Sequence, residues 1–263
     1  MTVPTTPSRP ATARRRLQAG ETLFGVFCKT TAPEFIEVLG HAGFDFCILD
    51  MEHGPASLET IQQLARAAEV SGVLPIVRTR DRSPESIAQP LDLGVAGIQV
   101  PQVASRAEAE GVVDAARFAP QGHRGVCRFV RAARFSALER SAYFAEANEA
   151  LVILQLEGTH LHEYEKIADI PGVDILFIGP YDLSQALGVP GQIEHPRVIE
   201  EMQKIIAVAR RKNKTVGVFA DSTVQTQRWI DAGVQYIAYS VDLGLFYAAC
   251  RDLVSTLRAQ AAR

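Results

Sequence analysis

The sequence predicts an α/β protein of the (β/α)8, or TIM-barrel, class. Eight short apolar runs alternate with amphipathic segments along the chain. The runs are almost continuously apolar, as in parallel strands covered on both faces. A length of 263 residues suits one such barrel, which takes about 250. The rival, an open doubly wound sheet, usually carries a glycine-rich phosphate loop, and neither a GxGxxG nor a Walker pattern occurs here.

Residues 1–20 are basic, contain Thr and Pro and lack acids. They read as a tail running into a short basic helix at Arg14–Leu17, in preference to a mitochondrial transit peptide. Residues 21–263 then form a single barrel domain. Strands are expected at Leu23–Cys28, Phe44–Asp50, Leu74–Arg78, Gly97–Pro101, Leu151–Glu157, Ile175–Ile178, Thr215–Phe219 and Tyr236–Ser240. Helices are expected at Pro33–His41, Leu58–Val70, Pro84–Leu93, Arg106–Phe118, His160–Ile167, Pro196–Lys212 and Val224–Ala232, with a last one near Leu245–Gln260. Gly43, Gly72, Gly94 and Gly233 each follow a helical pattern and suit C-terminal caps. Residues 119–149 are too long for a simple loop and hold Gly122, His123, Arg124, Gly125, Arg128, Arg131 and Arg134; such excursions are often functional.

Composition narrows the function. The chain is 47% apolar and 22% charged, with a net charge of −3, which gives no electrostatic case for nucleic acid or a membrane surface. No apolar run approaches the ~18 residues of a membrane span, and the N-terminus lacks a secretory apolar core. Cys28, Cys47, Cys127 and Cys250 show no CxxC spacing. They read as free thiols of a cytoplasmic protein in a reducing compartment.

The stretch Phe46–Pro55 is the most informative. An apolar run ends in Asp50, Glu52 and His53 and then a Gly-Pro turn. Gln155-Leu156-Glu157 and Gly179-Pro180-Tyr181-Asp182-Leu183-Ser184 repeat the pattern, and Arg78 ends the third run. In a barrel, catalytic groups sit at the carboxyl ends of strands, so these residues fall at one rim. Gln155 and Glu157 are two apart and point to one side of a strand. Glu157 and Asp182 come from neighbouring strands, roughly 5 Å apart at the backbone. Two such carboxylates repel unless one is protonated or a cation lies between them, and a hard divalent cation with oxygen ligands suits the pair. The residues alone leave other readings open. Glu157 and Asp182 also suit helix caps or solvated loop acids. His53 suits an ordinary loop histidine, Arg78 a barrel-end ion pair, and the 119–149 arginines a solvated face or pairing across subunits. His160, His162 and His195 read as surface residues without a convergent partner.

These residues resemble the HpcH/HpaI aldolases, the metal-dependent class II pyruvate aldolases of the phosphoenolpyruvate/pyruvate barrel superfamily. The resemblance runs from Gly20-Glu21-Thr22-Leu23-Phe24-Gly25 to Ser240-Val241-Asp242. It rests on Gly43-Phe44-Asp45, Leu49-Asp50-Met51-Glu52-His53-Gly54-Pro55, Pro75-Ile76-Val77-Arg78, Leu91-Asp92-Leu93-Gly94, Val100-Pro101-Gln102-Val103, Arg124-Gly125, Gln155-Leu156-Glu157 and the run from Gly172-Val173-Asp174 to Ser184. It implies that Glu157 and Asp182 are the metal ligands, with Mg2+, Mn2+ or Co2+ as the cofactor. Arg78 is then the enolate-stabilising arginine, His53 the base, Asp92 the acid that orients it, and Asp50 a second active-site acid. Gln155 lies near the 2-oxo acid, and the backbone around Gly179, Pro180, Tyr181 and Asp182 receives its carboxylate, with Arg124 a further substrate-binding residue. After Arg124-Gly125 the chain reads Val126-Cys127-Arg128-Phe129-Val130-Arg131-Ala132-Ala133-Arg134, richer in arginine than in the sugar-acid aldolases of this family.

The resemblance implies a lyase that cleaves or forms a 4-hydroxy-2-oxo acid, giving pyruvate and an aldehyde through a metal-stabilised enolate. The alternatives are an oxaloacetate-type decarboxylase using the same enolate and a non-catalytic metabolite-binding barrel. Lys29 ends the first strand and is the rival nucleophile at that rim. The resemblance also implies a homo-hexamer of paired trimers, with the C-terminal helix exchanged between subunits. The apolar segment Leu243–Tyr247 and the helical face of Leu253, Val254 and Leu257 agree with this. Trp229 and Tyr236 read as further interface aromatics.

Overall fold

The computed structural model describes residues 8–157 and 163–262. Eight parallel strands close into a barrel in chain order. They are β1 (Leu23–Cys28), β2 (Phe46–Asp50), β3 (Leu74–Arg78), β4 (Gly97–Val103), β5 (Leu151–Leu156), β6 (Ile175–Ile178), β7 (Thr215–Ala220) and β8 (Tyr236–Val241). Helix α1 (Arg9–Gln18) precedes them. The return helices include α2 (Pro33–His41), α3 (Leu58–Ser71), α4 (Pro84–Asp92), α5 (Arg106–Ala116), α6 (Arg140–Ala147), α7 (Tyr164–Ala168), α8 (Pro180–Ala186), α9 (Pro196–Arg211), α10 (Thr223–Asp231) and α11 (Asp242–Ala261). The barrel is therefore the (β/α)8 fold that the alternating pattern predicts.

The elements start and stop where local chemistry requires. Ser57, Ser83, Ser105 and Ser222 each cap a helix by accepting a backbone N–H, and Ser105 forms a reciprocal capping box with Glu108. Gly43, Gly72, Gly94 and Gly233 all take the left-handed conformation expected of them after a helix. The helix foreseen at Arg14–Leu17 begins earlier, at Arg9, because Ser8 caps it and Pro10 suits its first turn. It buries Ala13 and Leu17 against the amino-end mouth of the barrel. Arg14 ties it to Asp174 at 2.6 Å, and Arg16 ties it to Asp45 at 2.7 Å. Asp45 also accepts the Phe24 N–H, so β2 starts at Phe46 rather than Phe44. The helix expected from His160 is described only from Tyr164; His160 and His162 lie outside the described residues. His195 caps α9.

Side chains alternate between two layers. Cys47 and Leu49 face outward to the helices, whereas Phe46 and Ile48 fill the barrel interior with Leu74, Ile76, Leu151, Ile153, Ile175 and Phe177. Tyr236 belongs to this interior, stacked on Phe46 with centroids 3.8 Å apart, and Trp229 is the buried residue of α10, packed into the outer core. Neither forms an outer surface, which corrects their reading as interface aromatics. Gly25 admits the Phe46 ring, since a Cβ there would meet it at 2.2 Å.

Two bulges shape the carboxyl-end mouth. Between Val100 and Val103 the register of β4 on β5 shifts, and Gln102 takes a φ of 56°. Between Gly25 and Phe27 the pairing of β1 with β8 shifts in the same way, with Ser240 at a φ of 58°. Such extra residues re-aim the chain at a rim. The 119–149 segment contains a helical turn from Arg131 and then α6, neither foreseen in the sequence. Phe118, Ala133 and Tyr143 give it a small core of its own. Arg124, Arg128 and Arg131 bind inward, whereas Arg134 and Arg140 are exposed. Arg128 donates to Leu138 O, and Arg131 donates to Leu93 O and to Glu69. No described helix is long and apolar enough to cross a membrane.

Candidate active site

The inward-pointing series of five strands turns polar in its last step. Phe46 and Ile48 lead to Asp50, Leu74 and Ile76 lead to Arg78, and Leu151 and Ile153 lead to Gln155 and Glu157. On β1, Leu23 and Phe27 lead to Lys29, and on β7, Phe219 leads to Asp221. Strand periodicity thus delivers the polar groups to one mouth. A cavity of about 430 Å³ opens there, lined by Phe27, Lys29, His53, Arg78, Gln155, Phe177, Gly179, Pro180, Tyr181, Asp182, Phe219, Asp221 and Val241.

Asp50 and Arg78 form its buried anchor. Arg78 Nε donates to Asp50 Oδ1 at 2.9 Å and Nη2 to Oδ2 at 2.7 Å. Arg78 also faces Glu52 Oε2 at 3.0 Å and lies over the Phe27 ring, 4.8 Å from its centroid. The Glu52 and His53 N–H groups donate to Asp50 Oδ1. Burial opposes ionisation of Asp50, but the bonds and charge of Arg78, the His53 N–H and the Lys29 charge outweigh it and hold the carboxyl below its usual range. The His53 imidazole is 57% exposed, with Nε2 3.9 Å from Glu52.

The second cluster is acidic. Glu157 is 2% exposed. Its Oε2 accepts from Gln155 Nε2 at 2.7 Å, and its Oε1 accepts the Gln102 N–H at 2.9 Å. Gln155 in turn accepts from Gln99 Nε2 at 2.6 Å. Burial, with the charge of Asp182 adding to it and the Gln155 bond opposing it, pushes the Glu157 carboxyl up to about 8. A Cβ at Gly179 would lie 2.8 Å from Glu157 Oε2 and 3.7 Å from Asp182 Oδ2. The absent side chain keeps the space between the two carboxylates clear. That pocket suits a hard divalent cation completed by substrate oxygens and water. Among the described residues no third His, Cys, Asp or Glu joins the pair.

Asp50, His53, Arg78, Gln155, Glu157, Gly179, Pro180, Tyr181 and Asp182 are therefore brought to one mouth. Asp92 and Arg124 are not. Asp92 is the last residue of α4, which returns from the active mouth to the amino end. There Arg124 Nη2 binds it at 2.5 Å, and Arg124 stacks under Phe118. Arg124 lines a different cavity of about 570 Å³ with Ser8, Arg9, Gly94, Ala96 and Ala150, all at that end. Within one chain, Asp92 does not orient His53.

Sequence reasoning missed Gln99, Gln102, Asp221 and Asp242 as parts of the mouth. Gln99 carried a signal, a lone amide inside an apolar run. Gln102 and Asp242 depend on the bulges. Asp242 accepts the N–H groups of Lys29 and Thr30, fixing the loop after β1. Asp221 accepts the Tyr181 hydroxyl bond, and burial first, then that bond, pushes the phenol up to about 12.

The chain is similar to several known proteins. The HpcH/HpaI aldolase/citrate lyase family model matches residues 23–249. A pyruvate aldolase of Rhizobium etli is 35% identical, over 88% of this chain and 91% of its own length. A 5-keto-4-deoxy-D-glucarate aldolase of Shigella boydii is 34% identical, over 96% of this chain and 98% of its own. The crystal structure of a family protein from Burkholderia cenocepacia superposes with a TM-score of 0.90 at 32% identity, covering 94% of this chain and 99% of the other. The chain belongs to the HpcH/HpaI aldolase/citrate lyase family and is a carbon–carbon lyase.

Proposed function

We propose that the protein is a divalent-metal-dependent aldolase that cleaves, and in reverse forms, a 4-hydroxy-2-oxo acid, with pyruvate and an aldehyde as the other side of the reaction. The observation that carries this is the placement of Glu157 and Asp182 around the side-chain-free Gly179, in a cavity that also presents Arg78 and His53. Glu157 and Asp182 would hold Mg2+, Mn2+ or Co2+, which supplies Lewis acidity to the 2-oxo group.

The chain's own groups do the rest. Pro180, at the first position of α8, has no N–H, so the amides of Tyr181 and Asp182 are the ones open to the substrate carboxylate. Gln155, fixed from both sides by Gln99 and Glu157, sets the position of the 2-oxo acid. Arg78 meets the negative charge that grows on the 2-oxo oxygen as the carbon–carbon bond breaks. His53 is exposed enough to take the 4-hydroxyl proton and return it in the addition direction. Phe27, Phe177 and Phe219 keep the floor of the site apolar, which strengthens every charge interaction above it.

Asp92 and Arg124 enter this reading as groups presented to the site by a neighbouring copy. The assembly is a homo-hexamer of paired trimers, with α11 exchanged or docked between copies. In support, α11 leaves Leu243, Phe246, Tyr247, Leu253, Val254 and Leu257 exposed and buries only Asp242. The four cysteines are free thiols, in keeping with a reducing cytoplasmic setting.

The experiment is exchange of the pyruvate methyl protons with solvent deuterium, followed by pyruvate release from a panel of 4-hydroxy-2-oxo acids, with and without added cation. Cation-dependent exchange and release are expected. Their absence under all cations would remove the reading in favour of a binding barrel.

A further inference from the structure

We infer that Lys29 is the specificity-determining residue for the aldehyde half of the substrate, its ammonium receiving a carboxylate on the aldehyde. The inference rests on the aldolase reading above and extends it from the pyruvyl end of the cavity to the other end.

Lys29 is placed by two independent devices. It is the next inward step of β1 after Leu23 and Phe27, so strand periodicity aims it at the cavity it lines. Its backbone is then pinned from the first residue of α11. The Lys29 N–H reaches both Asp242 oxygens at 3.1 Å and the Thr30 N–H reaches Oδ2 at 2.9 Å. Asp242 is itself buried, one residue beyond Val241, the strand residue that pairs with Phe27 past the β8 bulge. The stem is held while the side chain as a whole stays a third exposed.

The ammonium has no committed partner among the described residues. Asp50 Oδ2 is 3.8 Å away, beyond a hydrogen bond, and that oxygen already accepts Arg78 Nη2 at 2.7 Å. The other Asp50 oxygen takes Arg78 Nε and two backbone N–H groups. Three donors therefore remain available in a cavity whose other cationic group, Arg78, is gripped by Asp50 and faced by Glu52.

The remaining walls choose the ligand's charge and place. Asp182 lies at the end assigned to pyruvate, and Asp221 stands on the β7 side, held by the Tyr181 hydroxyl. Tyr181 packs edge-on against Phe219 with centroids 5.9 Å apart. With Asp182 committed to the cation and the amides beside it to the pyruvate carboxylate, a second anionic group is repelled by Asp221, and the aromatic wall offers it nothing. Lys29 is the position where its charge is met by an unspent donor. A neutral polyhydroxylated aldehyde would instead use Asp221 and Tyr181.

The test is aldol addition of pyruvate to two aldehydes of equal carbon number, glyoxylate and glycolaldehyde, by the cation-loaded enzyme. The readout is the ratio of their kcat/KM values. The native chain is expected to favour glyoxylate. Lys29→Met should lower that ratio on the order of 10- to 100-fold, the value of one charge-assisted hydrogen bond, mostly through the KM of glyoxylate. Lys29→Arg should keep most of the ratio. Added salt should erode the ratio in the native chain and leave it flat in Lys29→Met. Equal loss for both aldehydes would mean that Lys29 only offsets the charge of Asp50 and Glu52, and would overturn the inference. So would an unchanged ratio. Deuterium exchange into pyruvate, which needs no aldehyde, separates the two claims. If the native chain does not exchange, the aldolase reading itself fails. If it exchanges and the ratio is insensitive to Lys29, only the present inference falls.

Discussion

Asp50 and Arg78 are direct register partners on β2 and β3, and the carboxylate grips the guanidinium with two hydrogen bonds of 2.9 and 2.7 Å. The pairing of two strands therefore fixes the orientation of the arginine. Arg78 cannot swing to solvent without stripping a buried, ionised Asp50 of its partner. With Nη1 facing Glu52 Oε2 at 3.0 Å, the whole guanidinium is held at the wall of the cavity that it lines, where fixed donors cost no reorganisation as charge develops.

Arg78→Ala should accordingly lower every reaction that passes through the pyruvate enolate. The expected fall in kcat is on the order of 10²–10³, as for removal of one oxyanion donor. Arg78→Lys should recover little, because an ammonium cannot reproduce the two-pronged bond to Asp50. Proton exchange into pyruvate and decarboxylation of oxaloacetate, measured side by side, check this. A variant that loses aldol cleavage alone would show that Arg78 serves the aldehyde end.

His53 should fail differently. Its imidazole is exposed and, among the described residues, makes only a 3.9 Å approach to Glu52, so His53→Ala should scarcely move the melting temperature. Aldol cleavage should fall on the order of 10²–10⁴, the range of a positioned general base. Oxaloacetate decarboxylation, which needs no base for a hydroxyl, should fall much less. Equal losses in both reactions would assign the proton transfer to another group.

The barrel and most of its rim were legible in the chain because strands carry a period of two. Phe46, Ile48 and Asp50 are one inward series, so an apolar run that ends in a carboxylate announces where that carboxylate points. The same logic delivers Arg78, Gln155 and Glu157. Gln102 and Asp242 were not legible as parts of the mouth, since each depends on a bulge, and a bulge is a mismatch between two strands rather than a pattern in one. The resemblance brought Asp92 to His53, but α4 returns Asp92 to the opposite mouth, and helical periodicity alone does not say at which end of the barrel a helix deposits its last residue. The 119–149 arginines suggested a solvated face because their acceptors, Leu93 O, Leu138 O and Asp92, are brought near by tertiary packing.

Glu157 should set the pH dependence of the cation-free protein. Its carboxyl rises on folding from its ordinary 4.5 to about 8, with burial the larger cause and Asp182 the next to push it upward. The folded state thus holds this proton more tightly than the unfolded state. The resulting stabilisation is complete below pH 4.5 and is lost as pH rises through 8, by at most about 1.4 kcal/mol per pH unit. Glu157→Gln should flatten that part of the stability profile. A cation must displace the same proton, so Mg2+ or Mn2+ affinity should climb by about tenfold per pH unit toward 8 and then level. Calorimetric titration at several pH values checks this, and chelation should abolish turnover until a cation is restored. Full activity after exhaustive chelation, or borohydride trapping of substrate on Lys29, would defeat the metal reading.

Asp92 and His53 should act across two chains. Asp92 sits with Arg124 at the amino-end mouth, so one chain cannot set it beside His53. Arg124 Nε is buried without a hydrogen-bond partner among the described residues, and the pair borders a cavity at that mouth. If a neighbouring copy presents this corner to the active mouth, Asp92→Asn and His53→Ala should each be nearly inactive alone. Mixed after dissociation and reassembly, they should regain part of the native activity, because some sites then receive an intact Asp92 and an intact His53. The same assembly should cover the exposed apolar face of α11, so that Leu253→Glu with Leu257→Glu lowers the mass seen by light scattering and lowers activity with it. A native mass near 28.7 kDa with full activity would reject the shared site. An oligomer whose mixed variants stay inactive would keep the assembly and confine Asp92 to bracing Arg124 within its own chain.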